Sequence, residues 1–193
     1  MVRIALETDI PAILAIYAPY VENSTATFEY AVPTAEEFTR RFRDITRQFP
    51  WLVWEEQGEI LGYAYASAPY TRAAYAWCAE PSIYLRGDAR RRGIGTALYR
   101  ALEAILEKQG YHILYALVTA ENRESIAFHE KFSYGKQAFF PDCAVKFGRW
   151  LGLFWMEKRL KTVEIPTDPP TAWVSIGQKG EKPTDILDSL SLS

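Results

Sequence analysis

Several of the things that decide a protein's class at once are scarce in this sequence. It holds two cysteines and two histidines in 193 residues. That is too few for a disulfide-stapled scaffold, and Cys78, Cys143, His112 and His129 stand at no spacing that makes a zinc site, so free thiols and no metal are expected. Charge of one sign is also missing. Lys and Arg total 22 against 24 Asp and Glu, a formal net charge of −2, which argues against a general nucleic-acid or membrane-surface binder. No apolar run approaches membrane-spanning length, and Glu7 and Asp9 interrupt the first segment before a signal-peptide core forms; the cytoplasm is the expected location, with no membrane partner. Apolar residues themselves are plentiful, at 49% with 15% aromatic, enough for one domain with a sizeable core.

What is present is an alternation of β-rich and helical segments. Residues 2–6 read as a strand, and Thr8, Asp9 and Pro11 supply a cap and an early-helix proline for a helix over about 9–20. A loop over 23–32 leads to Pro33 and the capping box Thr34-Ala35-Glu36-Glu37, which opens a helix to about Gln48. Residues 51–55 and 60–68 flank the turn signal Gln57-Gly58 as a hairpin, and 75–85 form the next strand. Ala97, Leu98, Ala101, Leu102, Ile105 and Leu106 then recur at helical spacing, with Gly110 placed as a C-terminal cap. After a strand over 112–118, Asn122 caps a short helix over 123–132, and strands over 136–140 and 149–160 close the domain. The order β-α-α-β-β-β-α-β-α-β-β predicts an α/β (α+β) domain over residues 1–161. Residues 162–193 scatter Pro among Thr, Ser, Asp and Lys without periodicity, which predicts a flexible or loosely docked tail; Trp173, Val174 and Ile176 are its candidates for docking.

Between the apolar run Ser82-Ile83-Tyr84-Leu85 and the amphipathic helix lies Arg90-Arg91-Arg92-Gly93-Ile94-Gly95. Two glycines one residue apart let backbone approach a ligand closely, and a helix start offers unpaired N–H groups and a positive dipole end to an anion. The plain alternative is a basic turn that only caps a helix. Neither a P-loop nor a dinucleotide fingerprint fits these glycines. Arg-x-x-Gly-x-Gly does fit, and it resembles the pyrophosphate loop of the GNAT superfamily of acetyl-CoA-dependent N-acetyltransferases. The order of elements over about residues 2–160 is similar to that fold, a mixed, partly splayed sheet with helices on both faces. Six further segments narrow the resemblance to the phosphinothricin acetyltransferase family: Thr25-Ala26-Thr27-Phe28-Glu29, Gly62-Tyr63-Ala64-Tyr65-Ala66, Arg72 with Ala74-Tyr75, the strand with Glu80, Asn122-x-x-Ser125 with Phe128-His129-Glu130, and Lys146-Phe147-Gly148-Arg149-Trp150-Leu151.

Joining an amine to a thioester needs a cofactor anchor, a neutral amine, stabilisation of the oxyanion and a proton for the departing thiolate. The resemblance implies acetyl-CoA as co-substrate, with the strand edge Ile83, Tyr84 and Leu85 pairing with its pantetheine arm. Arg90, Arg91, Arg92, Gly93, Ile94, Gly95 and Thr96 hold the pyrophosphate, and Asn122 and Ser125 assist. Glu80, beside an apolar run, is the candidate general base, against the reading of a strand-end glutamate paired with an arginine. His129 is the candidate general acid, against a merely packed or solvated histidine. Phe28, Arg72 and Tyr75 are the expected substrate residues, with Lys146 and Arg149 as further cations for a carboxylate and Trp77 as a wall. Ala76 and Gly152 depart from the family pattern, with Gly152 standing where many relatives carry aspartate.

Neither cysteine sits in a nucleophile–base arrangement, so direct transfer in a ternary complex is expected, with no acyl-enzyme. The acceptor implied by the resemblance is the α-amino group of a small amino acid or analogue of the phosphinothricin, methionine sulfone or methionine sulfoximine type. The alternatives are another amine, such as a protein N-terminus, and a non-catalytic acyl-CoA-binding module. A homodimer is implied by the resemblance alone.

Overall fold

Seven strands form one sheet in a computed structural model that describes residues 1–161 and 165–176. In spatial order they are β1 (Val2–Ile4), β2 (Trp51–Glu56), β3 (Glu59–Ser67), β4 (Cys78–Leu85), β5 (Ile113–Thr119), β7 (Arg149–Arg159) and β6 (Gly135–Lys146). Helices α1 (Ile10–Asn23) and α2 (Ala35–Thr46) pack on one face through Ile13, Tyr17, Phe38 and Phe42 against Trp51, Val53 and Tyr63. Helices α3 (Ile94–Gln109) and α4 (Arg123–Lys131) cover the other through Leu98, Leu102, Ile105, Ile126 and Phe128. The helices therefore lie on both faces of a mixed sheet.

Local chemistry explains most boundaries. Gln57 and Gly58 both take positive φ, 53° and 81°, which is the tight-turn geometry whose twist suits a two-residue hairpin between β2 and β3. Thr34 accepts from the Glu37 amide at 3.1 Å, but the reciprocal half of the capping box is absent because the Glu37 carboxylate pairs with Arg41 instead. Gly110, at φ 98°, ends α3 as expected.

Two strand boundaries differ from the sequence reading. Residues 73–75 form a single 3₁₀ turn rather than the start of β4, closed by the Tyr75 and Ala76 amides on the Arg72 and Ala73 carbonyls at 3.0 Å, with the Tyr75 ring tilted against Tyr70 at 4.3 Å between centroids. Strand β6 runs on from Phe140 to Lys146 through an irregularity at 141–143, where Asp142 has φ 49°. As an edge strand it tolerates Pro141 and the bulge that the sequence pattern read as a stop.

The feature that positions the site is a failure of pairing. Strands β4 and β5 run parallel and meet at only two rungs, Cys78↔Ile113 and Ala79↔Leu114. Beyond them β4 continues to Leu85 beside β3, and β5 to Thr119 beside β7, so the two halves of the sheet diverge.

From the C-terminal tail, the described residues 165–176 lie against the domain and end in the short helix α5 (Trp173–Ile176). Trp173 and Ile176 join the core, and the Gln109 side chain donates to the Gln48 and Thr171 carbonyls at 2.9 and 2.8 Å. The remaining part of the expected tail falls outside the described residues. Among the described residues no helix is long and apolar enough to cross a membrane.

Candidate active site

A cleft of about 1110 Å³ opens where β4 and β5 part, bordered by both strands, the start of α3, the α4 helix and the loop after α1. The register of β4 decides which backbone groups face it. The Arg86 amide donates to Leu61 O at 2.9 Å and Tyr84 stands opposite Tyr63, so the groups of Tyr84 and Arg86 point to β3 and those of Ile83 and Leu85 point to the cleft. Pro81 shares that outward parity, where its missing N–H breaks no pairing. The three residues of the expected pantetheine edge therefore differ in what their backbones offer. The Tyr84 backbone is spent on β3, and both groups of Leu85 are spent on Tyr20, whose hydroxyl donates to Leu85 O at 2.6 Å and accepts from Leu85 N at 3.2 Å. Ile83 alone of the three keeps an open edge. Tyr20 reads in the sequence as an apolar-face residue of α1, and nothing in its spacing marks this contact.

The arginine loop ends in Gly93, whose φ of 81° starts α3 with no side-chain cap. The first turn's amides at Ile94, Gly95 and Thr96 are therefore available to an anion, the first intrahelical bond being Ala97 N to Gly93 O at 3.0 Å. Glycine at 95 lets this helix start sit directly on β4, since a Cβ there would lie 3.2 Å from Leu85 Cδ1. Ile94 itself is buried, so only its backbone faces a ligand. Arg90 and Arg91 border the cleft, the first donating to Tyr20 at 3.2 Å and the second to Glu124 at 3.2 Å. Arg92 does not border it. Its guanidinium turns to the β2–β3 hairpin and holds Glu56 at 2.7 Å, so what it has to offer the expected pyrophosphate set is its backbone amide. Asn122 borders the cleft while its Oδ1 accepts from Ser125 N at 3.2 Å, which leaves its amide protons for a ligand.

Glu80 stands on β4 opposite Ser67, sharing a sheet face with Ser82 and Tyr84. Among the described residues its carboxylate has no hydrogen bond or ion pair, so the paired-glutamate alternative does not hold. Burial pushes its pKa above the ordinary 4.5. His129 also borders the cleft but is otherwise buried, edge-on to the rings of Tyr99 and Tyr134. Its Nδ1 lies 2.8 Å from the Ser125 carbonyl, which places the proton on Nδ1, and burial lowers its pKa. A neutral ring of that tautomer has a lone pair on Nε2. The acid role expected from sequence allows a neutral or a charged imidazole; burial disfavours the charged form, and the neutral one directs its N–H to Ser125.

The other end of the cleft is built by the loop after α1 and by the β6–β7 hairpin. Phe28 borders it, as do Thr25, Glu121, Phe147, Arg149 and Leu153. Arg149 grips both oxygens of Glu121 at 2.6 and 2.7 Å, and Thr25 Oγ1 donates to the same carboxylate at 2.7 Å. Lys146 is buried and committed to the Ser24 and Thr27 carbonyls at 2.7 and 2.8 Å, so it fastens the loop and does not face a ligand.

Arg72 and Tyr75 do not border the cleft within one chain. Arg72 is exposed before the 3₁₀ turn, and Tyr75 lies on the outer surface against Tyr70. Trp77 donates to the Asp168 carbonyl at 2.9 Å and is no pocket wall either. Gly152 faces the Phe139 ring, which a Cβ would meet at 2.9 Å. Among the described residues no cluster of His, Cys, Asp and Glu has the makings of a metal site.

A family model described as an acetyltransferase (GNAT) domain matches residues 2–155. The chain is 35% identical over 161 residues to phosphinothricin N-acetyltransferase of Alcaligenes faecalis, covering 82% of each protein. It is 34% identical to the L-methionine sulfoximine/L-methionine sulfone acetyltransferase of Pseudomonas aeruginosa, covering 82% of this chain and 94% of that protein. Among solved structures, a GNAT superfamily phosphinothricin acetyltransferase from Sinorhizobium meliloti in complex with AcCoA matches with a TM-score of 0.84 and 35% identity. That match covers 88% of this chain and 94% of the other.

Proposed function

The chain belongs to the GNAT acetyltransferase family and is an acetyl-CoA-dependent N-acetyltransferase; from that premise we propose that it acetylates the α-amino group of a small amino acid or analogue, with Glu80 as its base. The observation that carries this reading is the pairing, in one cleft, of an uncapped α3 N-terminus with a half-buried, unpartnered carboxylate.

Acetyl-CoA supplies the activated acetyl group. The first-turn amides of α3, flanked by Arg90 and Arg91, suit its pyrophosphate, and the Ile83 edge and the Asn122 amide protons suit its amide-bearing arm. An alkylammonium titrates near 10, so the acceptor must give up a proton before it attacks. Glu80 is the group placed to take it. Its raised pKa makes it a stronger base than an exposed carboxylate. His129, neutral with its proton on Nδ1, shapes the wall near Ser125, and the proton that Glu80 takes from the amine can return, directly or through water, to the departing thiolate.

Relatives named for phosphinothricin and for methionine sulfoximine and sulfone supply the acceptor class. Phe28, Phe147 and Leu153 are apolar walls suited to a short side chain. Arg72 and Tyr75 lie on a surface where Tyr70 and Phe140, 39% and 44% exposed, flank Trp155 and Tyr75, 39% exposed, packs on Tyr70. We place a second copy on this face, making a homodimer, and any substrate contact of Arg72 or Tyr75 runs through that copy. The work is placed in the cytoplasm.

The reading is tested by thiol release from acetyl-CoA against phosphinothricin, methionine sulfone, methionine sulfoximine, the natural amino acids and peptides with free N-termini, with the product's acetylated nitrogen located by mass spectrometry. Turnover confined to amino acids and their analogues is the expected result. Turnover confined to peptides moves the acceptor to a protein N-terminus, and cofactor binding without turnover on any amine overturns the enzyme.

A further inference from the structure

Resting on the proposed acceptor class, we infer that Arg149 is the anchor for the acceptor's carboxylate and that Glu121 is the positioning residue that presents it. An amino acid zwitterion needs a cation for its carboxylate, and among the described residues the cations bordering the cleft are Arg90, Arg91 and Arg149. The first two stand at the start of α3, where the cofactor's phosphates belong. Lys146 is spent on two carbonyls and Arg72 lies outside the cleft. Arg149 is the cation left at the acceptor end.

The bonding of Arg149 shows how it serves. Glu121 takes one N–H from each terminal nitrogen, the end-on fork of the guanidinium. A guanidinium carries five donors in one plane, so Nε–H and the outer Nη–H bonds form a second fork beside the first. Among the described residues that second fork has no partner. It matches a carboxylate bidentately, as the first does. Glu121 is itself held by Thr25, and the Thr25 carbonyl accepts from Thr119 at 2.5 Å, so β5, the loop after α1 and the β6–β7 hairpin fix the guanidinium plane. Glu121 stays ionised in this arrangement, because the Arg149 guanidinium and the Thr25 hydroxyl hold its pKa below the usual carboxylate range. Ammonium toward Glu80 and carboxylate toward Arg149 then orient an α-amino acid in one sense only.

The test compares an amino acid substrate with its primary amide and its decarboxylated amine, in wild type, Arg149→Met and Glu121→Gln. Wild type is expected to favour the amino acid. In Arg149→Met the KM for the amino acid should rise about 10- to 100-fold, as for loss of a hydrogen-bonded charge partner, with kcat little changed and the preference over the amide lost. Glu121→Gln should raise the same KM by a smaller factor, leaving acetyl-CoA affinity by calorimetry as in wild type for both variants. An Arg149→Met enzyme that keeps its preference, or a wild type that treats acid and amide alike, overturns the inference while the transferase stands. A wild type that acetylates none of the three compounds overturns the transferase reading itself.

Discussion

At the scale of single residues, Glu80 and His129 show how burial alone assigns opposite chemistry to two groups in one cleft. Removing water raises the carboxylate and lowers the imidazole, so both favour their neutral forms. For Glu80 this strengthens a base that must be ionised to act, so its limb in the pH profile moves up from the ordinary 4.5. For His129 it leaves the ring neutral, so the imidazolium that would donate a proton is scarce at neutral pH. We expect His129→Asn, whose amide N–H can still reach the Ser125 carbonyl, to keep kcat at pH 7.5 within about tenfold of wild type. A loss of about 10²- to 10⁴-fold, the usual size for a proton donor in the transition state, would restore the acid role. The position of Glu80 was legible because an acid before an apolar strand is a recognisable pattern. The state of His129 was not, since it depends on a carbonyl one helical turn back and on Tyr99 and Tyr134, which approach from distant parts of the chain.

At the scale of elements, β4 carries most of the site, and glycine controls how closely its neighbours come. Gly62 on β3 stands opposite Leu85, and a Cβ there would lie 2.4 Å from Leu85 Cδ2 and 3.1 Å from the Tyr84 carbonyl. The leucine tip can shift but the carbonyl cannot. Gly62→Ala is therefore expected to cost about 1–3 kcal/mol, as overpacking does, read as a lowered denaturant midpoint. It should also weaken acetyl-CoA binding, because Leu85 is what Gly95 and the start of α3 rest on. Unchanged stability and affinity would show that β4 is not held this tightly.

The hairpin turn at Gln57-Gly58, the Thr34 cap and the Gly110 stop were readable from local chemistry, since each is settled within a few residues. The divergence of β4 from β5 was readable only through family resemblance. Their apolar runs look alike whether or not they pair, and the two rungs that do form depend on contacts across the fold. The same limit hid the continuation of β6 past Pro141, which only its place at the sheet edge permits.

At the scale of the whole molecule, the proposed acceptor end joins Thr25 and Phe28 from one end of the domain to Glu121 and Arg149 from the other, with Lys146 fastening the loop that carries the first pair. Of the residues the sequence named for the acceptor, Phe28 and Arg149 border the cleft, while Arg72 and Tyr75 are left by the single chain on its surface, a distinction that spacing does not carry. The cofactor end is different. Its loop, glycines and helix start are contiguous and could be named from local pattern, whereas the partners of the Arg92 guanidinium and the Leu85 carbonyl lie far along the chain. What joins the two ends is Glu80, and the account depends on it most. The direct measurement is kcat/KM against pH for wild type and Glu80→Gln with the best amino acid acceptor. Wild type should show a rising limb set above the ordinary glutamate value. Glu80→Gln should lose that limb and fall by about 10²-fold or more at neutral pH, with acetyl-CoA affinity retained. Full activity of Glu80→Gln across the range, with the limb in place, would contradict the account.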